Sequence, residues 1–279
     1  MNTDTPDQFA ADRQRTLEHR EKLAGNENLL YWYRRLYGHQ FGGIPGIGEK
    51  RVLEIGSGSS PIKRFYPDVL TSDVLDLEYI DFVFDCHELD GFEAIPDSSV
   101  DVITLTNVLH HLEDPIRFLK KAAVKLRCGG EIIATEPYFS MLSTFVYKGF
   151  QFLHGEAIDF EIDEPRLPSV EGPLASANVA LPFLIFIARP EWAARLGAEY
   201  RLPAQIRPFT GISYMVSGGI SRKFPIPSFI YRGLFAVDEF LAKMAPGLFA
   251  SFFTVVLVRR DGDEESSGPT IKENRLVTD

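Results

Sequence analysis

The chain has 279 residues, 45% apolar and 24% charged, which suits one large globular unit with a sizeable core. A formal net charge of −10 argues against a nucleic-acid partner, because phosphate binding needs clustered Lys and Arg. The two cysteines, Cys86 and Cys128, fall inside predicted core elements without metal-ligand spacing. They read as reduced thiols of a cytoplasmic protein with no bound metal. Met1–Arg20 has no apolar stretch of the kind a signal peptide needs. The apolar runs Val179–Ala188 and Phe252–Val258 are too short to cross a bilayer, so no stable membrane insertion is expected.

Residues 7–24 read as a charged, solvent-facing helix, and Glu27–Tyr37 as a stronger one, with Leu29, Trp32, Tyr33 and Leu36 at helical spacing. Gly42 to Gly46 break the chain. Val52–Ile55 then reads as a buried parallel strand, Gly56-Ser57-Gly58 as a turn that lets backbone approach a ligand, and Val69–Asp73 as a second strand. Asp114 and Pro115 form an N-cap and first-turn pair for a helix over 116–126, which Gly129-Gly130 ends. The strand–helix–strand alternation from 51 to 136 implies a parallel sheet with right-handed crossovers.

Beyond Pro137 the character changes. Fifteen of the 22 Phe lie from Phe139 onward, so the second half is where an apolar pocket or interface is sought. Asp159–Pro173 reads as a loop, Pro190–Ala198 as a short helix, Ile212–Val216 as a strand and Phe229–Met244 as an amphipathic helix. Phe252–Val258 is the last strand, antiparallel and beside the fifth. From Asp261 the tail is polar and reads as disordered.

The chemistry concentrates at the first turn. Glu54 sits inside strand one, Gly56 and Gly58 follow, and Asp73 ends strand two. In a doubly wound sheet this geometry sets a nucleoside over the turn and its ribose hydroxyls on the acid. A dinucleotide fold prefers G-x-G-x-x-G aimed at a pyrophosphate, and here Pro61 occupies the place of the third glycine. An acid inside strand one suits instead a cofactor with a cationic amino-acid end.

The segment resembles motif I of class I S-adenosylmethionine (SAM)-dependent methyltransferases, E/D-x-G-x-G-x-G, and departs from it at Ser60. Further matches are Phe82–Leu89, Ile95–Ile103, Thr106–Pro115 and Leu126–Ile133, the last resembling the family's L-K-P-G-G turn. The likeness covers roughly residues 50–137 and is closest to the small-molecule branch. It implies an α/β, doubly wound, mostly parallel seven-stranded Rossmann-like sheet with an antiparallel last strand. An N-terminal helical cap would span 1–50, the SAM-binding domain 51–260 with a substrate-side insertion at 138–250, and the tail 261–279. It also implies SAM as cofactor, held by Glu54, Gly56, Ser57, Gly58, Asp73, Asp85, Cys86 and Asn107.

His110 and His111 after strand four, and Glu136 after strand five, are the candidate catalytic residues, because ligands bind at the carboxyl edge of such a sheet. The expected partner is a small, largely apolar molecule; a homodimer is compatible with the Phe-rich half. The competing functions are methylation of RNA or protein, and SAM binding without catalysis.

Overall fold

The computed structural model describes residues 5–154, 157–167, 176–219 and 226–261. Two helices come first, α1 (Thr5–Ala24) and α2 (Glu27–Phe41). Asn26 caps α2 by accepting the Leu29 N–H, while its own amide reaches the Ser217 carbonyl.

Seven strands follow: β1 (Val52–Ile55), β2 (Leu70–Asp73), β3 (Phe82–Val83), β4 (Val100–Thr106), β5 (Leu126–Pro137), β6 (Tyr200–Phe209) and β7 (Phe252–Arg259). Their order across the sheet is β3-β2-β1-β4-β5-β7-β6. Strands β1 to β5 pair in parallel, and β7 runs antiparallel to both β5 and β6. The expected mostly parallel sheet with an antiparallel last strand beside strand five is therefore present.

Alternation along the strands builds two cores. Leu53, Ile103, Ile132 and Val255 face one layer, which α3 (Pro115–Lys125) covers with Phe118, Leu119 and Ala122. Val52, Val102, Ile133 and Val256 face the other, against Trp32 and Leu36 of α2. A polar chain crosses this second layer: Gln40 donates to Thr135, whose hydroxyl meets that of Thr254. Both threonines and Gln40 are fully buried, so the chain satisfies groups that would otherwise be costly there.

The structure departs from expectation in four places, three of them in the second half. The stretch 138–250 is not one insertion, because β6 runs through it as the outer strand. Pro203 and Pro208 hid this strand; an edge position tolerates the missing N–H groups, and the register shifts between Arg201 and Gln205. Ile212–Val216 is not a strand. Ser213–Val216 is a helical turn whose entry is held by the Asp238 carboxylate. Asp238 accepts the N–H groups of Gly211, Ile212 and Ser213 at 2.9 Å each. Helix α4 (Met141–His154), which follows β5, was not anticipated. Finally, Cys128 is exposed rather than in the core, because the turn at Gly129 (φ +70°) lies outside the sheet's cover; Cys86 is half-buried.

A short helix occupies Pro190–Ala193, and α5 (Ser228–Met244) matches the amphipathic helix. The part of 159–173 that is described, up to residue 167, carries no regular element. The polar tail from residue 262 lies outside the described residues. No described helix is long and apolar enough to cross a membrane.

Asp238 ties α5 to the end of β6, so Asp238→Ala should leave three N–H groups without their acceptor. The expected loss is about 3 kcal/mol or more in urea unfolding, with Asp238→Asn losing less. An unchanged midpoint for Asp238→Ala would show that the carboxylate does not carry this junction.

Candidate functional site

The parallel strands β1, β2 and β4 direct their carboxyl ends to one edge of the sheet, and the glycine turn lies there. Gly56 takes φ +68°, and a Cβ on it would come within 2.5 Å of the Val108 side chain. Gly58 takes φ +23°, and its Cβ would meet Asp73 Oδ2 at 3.4 Å and Thr16 at 3.5 Å. Any side chain at Gly56 therefore strains the turn itself, whereas Gly58 faces Asp73 and α1.

Glu54 points from β1 toward α2 and is buried. Ser60 Oγ donates to its Oε1 at 2.7 Å, and Ser60 Oγ lies 2.8 Å from the Tyr37 hydroxyl. The other oxygen, Oε2, is buried without a hydrogen-bond partner. Burial is the largest influence and pushes the carboxyl pKa up to about 8, against the opposing hydroxyls of Ser60 and Ser57. Ser60 is thus the residue that the sequence reading passed over as a departure from motif I. Its hydroxyl is the connection between Tyr37 and Glu54.

Asp73 ends β2 with Oδ2 accepting the Gly58 N–H at 2.8 Å and Oδ1 accepting the Leu75 N–H at 2.9 Å. Burial raises its pKa, and these backbone donors oppose the rise. A carboxylate offers about four lone-pair directions, so acceptor capacity remains for hydroxyl groups. Asp85 accepts the His87 N–H and faces His87 Nδ1, both at 2.9 Å; that contact is the first cause of its lowered pKa. Burial pushes the Cys86 thiol up, so it stays protonated. Asn107 leaves β4 at φ +56° with its Oδ1 buried and unpartnered.

Helix α1 lies over this turn. Thr16 and Asp12 are buried, Arg13 Nε donates to the Asp76 carbonyl, and Arg20 donates to the Ser60 carbonyl. The Arg20 guanidinium also stacks 3.7 Å above the Tyr79 ring, and the Tyr79 hydroxyl donates to the Gly58 carbonyl. Helical charge patterning alone could not single out these contacts, because the same residues read as a solvated face.

The three candidate catalytic residues gather at the exits of β4 and β5. Glu136 is fully buried, and its Oε1 accepts the N–H groups of Val108 at 2.9 Å and Leu109 at 2.7 Å. Its Oε2 lies 2.6 Å from His110 Nδ1. Both oxygens therefore hold the β4 exit. His111 Nδ1 faces the Ser176 carbonyl at 3.2 Å. A carbonyl accepts only, so Nδ1 carries the proton and Nε2 the lone pair. Burial, with His110 beside it, lowers the His111 pKa to about 3, which keeps the ring neutral. Beside this turn, the half-buried rings of Tyr138, Phe139, Phe160 and Phe183 pack edge to face with centroids 4.9–6.4 Å apart. Other Phe residues of this half, such as Phe209, Phe235 and Phe253, are plain core.

A family model described as a methyltransferase domain matches residues 9–161. No curated protein matches the sequence. Similar solved structures include a chain of the Haloferax volcanii complex between the Trm112 methyltransferase activator and a methyltransferase. It is 13% identical with a TM-score of 0.50, covering 94% of this chain and 100% of that one. A SAM-dependent methyltransferase from Archaeoglobus fulgidus is 15% identical with a TM-score of 0.46, covering 83% of this chain and 94% of that one. A third, from Mesorhizobium loti, is 15% identical with a TM-score of 0.42, covering 80% and 97%.

The raised carboxyl predicts an unusual stability profile. His39 and His111, held neutral with folded pKa values of about 4 and about 3, add stability as pH rises to 6.5, where unfolded histidine titrates. Glu54 does the opposite, since its folded pKa exceeds its unfolded value of 4.5: stability falls as pH rises toward 8. Between pH 6.5 and 8 Glu54 should cost about 2 kcal/mol, which outweighs the last ~0.4 kcal/mol that each histidine still gains as its half-protonated unfolded form loses its proton. Thermal unfolding should show Tm falling across that window, and Glu54→Gln should flatten the fall. A wild-type Tm that rises there would contradict the assignment.

Proposed function

This chain belongs to the class I SAM-dependent methyltransferases, and we propose that it methylates a small, largely apolar molecule. SAM is its cofactor, and when bound it supplies an activated methyl group for in-line displacement. The residues at the turn fit it. Glu54 would face the ammonium of the amino-acid end, which supplies the cation its unpartnered Oε2 lacks. Gly56, Ser57 and Gly58 would let the backbone approach closely, and Asp73 would accept the ribose hydroxyls. Asp85 and Cys86 would border the adenine, and Asn107 would line the β4 exit.

The observation that carries the apolar acceptor is the half-buried ring cluster of Tyr138, Phe139, Phe160 and Phe183 beside the β4 and β5 exits. Rings left partly accessible at the carboxyl edge form the wall an apolar molecule needs. His111 Nε2 would orient the acceptor. Its pKa of about 3 makes it a weak proton acceptor, so positioning rather than proton removal would supply most of the rate. Glu136 and His110 act as positioning residues, because Glu136 fixes the turn that presents His111.

S-adenosylhomocysteine should bind in calorimetry with micromolar affinity, roughly −8 kcal/mol. At pH 7 Glu54 is mostly neutral, so pairing it with an ammonium should release close to one proton, visible as a heat that depends on the buffer. Glu54→Gln should abolish that release, and Asp73→Ala should weaken binding by about 1.5–3 kcal/mol. Tight NADH binding without a response to S-adenosylhomocysteine would refute the cofactor assignment.

The acceptor should be sought among apolar compounds that co-purify, by mass spectrometry. With it, at saturating SAM, His111→Ala should lower kcat less than about tenfold, with no new pH dependence between pH 5 and 8. A loss of about 10²–10⁴ that tracks a titrating group would make His111 a general base.

A further inference from the structure

Helix α5 is apolar on two opposite faces. Tyr231, Phe235 and Ala242 pack inward. Phe229, Ile230, Leu234, Val237, Phe240 and Met244 point outward; Phe229 is 76% exposed, Phe240 60% and Met244 69%. At about 100° per residue these six span an arc of about 140°. The only other positions inside that arc are Gly233 and Leu241, so it holds no polar side chain. With ~200 Å² for a fully exposed large apolar side chain, the six present roughly 700 Å². That exceeds the ~300–600 Å² of the largest patch on a typical monomer.

The border of the arc indicates what covers it. Arg232 and Lys243 lie exposed along one flank, and Arg35 of α2 stands across from them. Two acids stand with them: Glu239, paired to Arg35 at 2.8 Å and to Lys243 at 3.0 Å, and Glu27 of α2, which accepts from Ser228; the helix's other acid, Asp238, is buried on the inward side. The exposed border thus carries three cations to two acids, on a chain whose net charge is −10. A seam between helices is a narrower stripe than this arc. Cations beside a broad apolar face suit the anionic headgroups and acyl boundary of a bilayer.

The patch also reaches the catalytic edge. Helix α4 begins shortly after Glu136, and its Met141 and Phe145 are 72% and 82% exposed. The short helix Pro246–Phe249 touches both α4 and α5, and its Leu248 is exposed too.

We propose that the outer face of α5 docks this protein on an anionic lipid surface. Docking sets the exits of β4 and β5 beside the bilayer, where an apolar acceptor dissolves; this last point alone rests on the function proposed above. Vesicle flotation with the full chain tests the docking without any methyl acceptor. Vesicles of phosphatidylcholine mixed with phosphatidylglycerol should carry the protein, and phosphatidylcholine alone should carry much less. The double variant Phe229→Ser, Phe240→Ser should bind the mixed vesicles at least about tenfold more weakly while keeping its melt and its S-adenosylhomocysteine affinity. Arg232→Glu should weaken binding to the mixed vesicles only. No flotation, or flotation unchanged in the double variant, would overturn the proposal. So would a concentration-dependent dimer in sedimentation equilibrium that the double variant abolishes, which would assign the face to a second copy.

Discussion

One carboxyl group, Glu54, governs how the carboxyl edge of the sheet is built. It is placed by β1 in the layer that α2 covers, where water cannot solvate it, and only one of its oxygens has a partner. A buried acid in that condition stays protonated, and it costs free energy that a second, cationic partner would offset. The Tyr37–Ser60–Glu54 chain of hydroxyl groups fixes the rotamer. The glycine turn, Asp73 and α1 are arranged around it, through Gly58 to Asp73 and through Arg20 to the Ser60 carbonyl. On the function proposed above, the cofactor's ammonium supplies that partner, and the low effective dielectric that disfavours the empty charged form would strengthen the pair once made.

A second carboxylate performs the complementary task. Glu136 crosses from β5 to β4 and gathers two backbone N–H groups and an imidazole. A strand exit is an irregular segment with unpaired donors, and here a single side chain satisfies them without water. The turn that carries His110 and His111 is thereby fixed relative to the strand that leads into the ring cluster of Tyr138 and Phe139. The two acids thus divide the edge between them. One is left short of a partner, and the other is fully engaged.

The parallel half was legible because its strands and turns carry strong local signals. Val52–Ile55 was read to its last residue, and the Asp114–Pro115 start of α3 followed from capping chemistry. The glycine turn and both acids were equally visible, since a ligand-approaching turn restricts residue type. The second half was less so. Strand β6 contains two prolines, which local rules place outside sheets, and only its edge position excuses them. The turn at Ser213–Val216 owes its shape to Asp238, twenty-five residues from Ser213, and a short apolar run carries no trace of that bond. The double-sided nature of α5 was hidden for a related reason: periodicity reveals an apolar face, but not whether the opposite face is also covered. Likewise the bonds of Ser60 and Glu136 are long-range, and residue type and position alone marked Glu136 only as a candidate catalytic residue.

A crystal structure of the full chain with S-adenosylhomocysteine tests the central claim most directly. The account predicts the ligand's ammonium within ~3 Å of the Glu54 carboxylate, on the oxygen that Ser60 leaves free, and its ribose hydroxyls on Asp73. A ligand bound away from the glycine turn, or with its ammonium turned from Glu54, would contradict it.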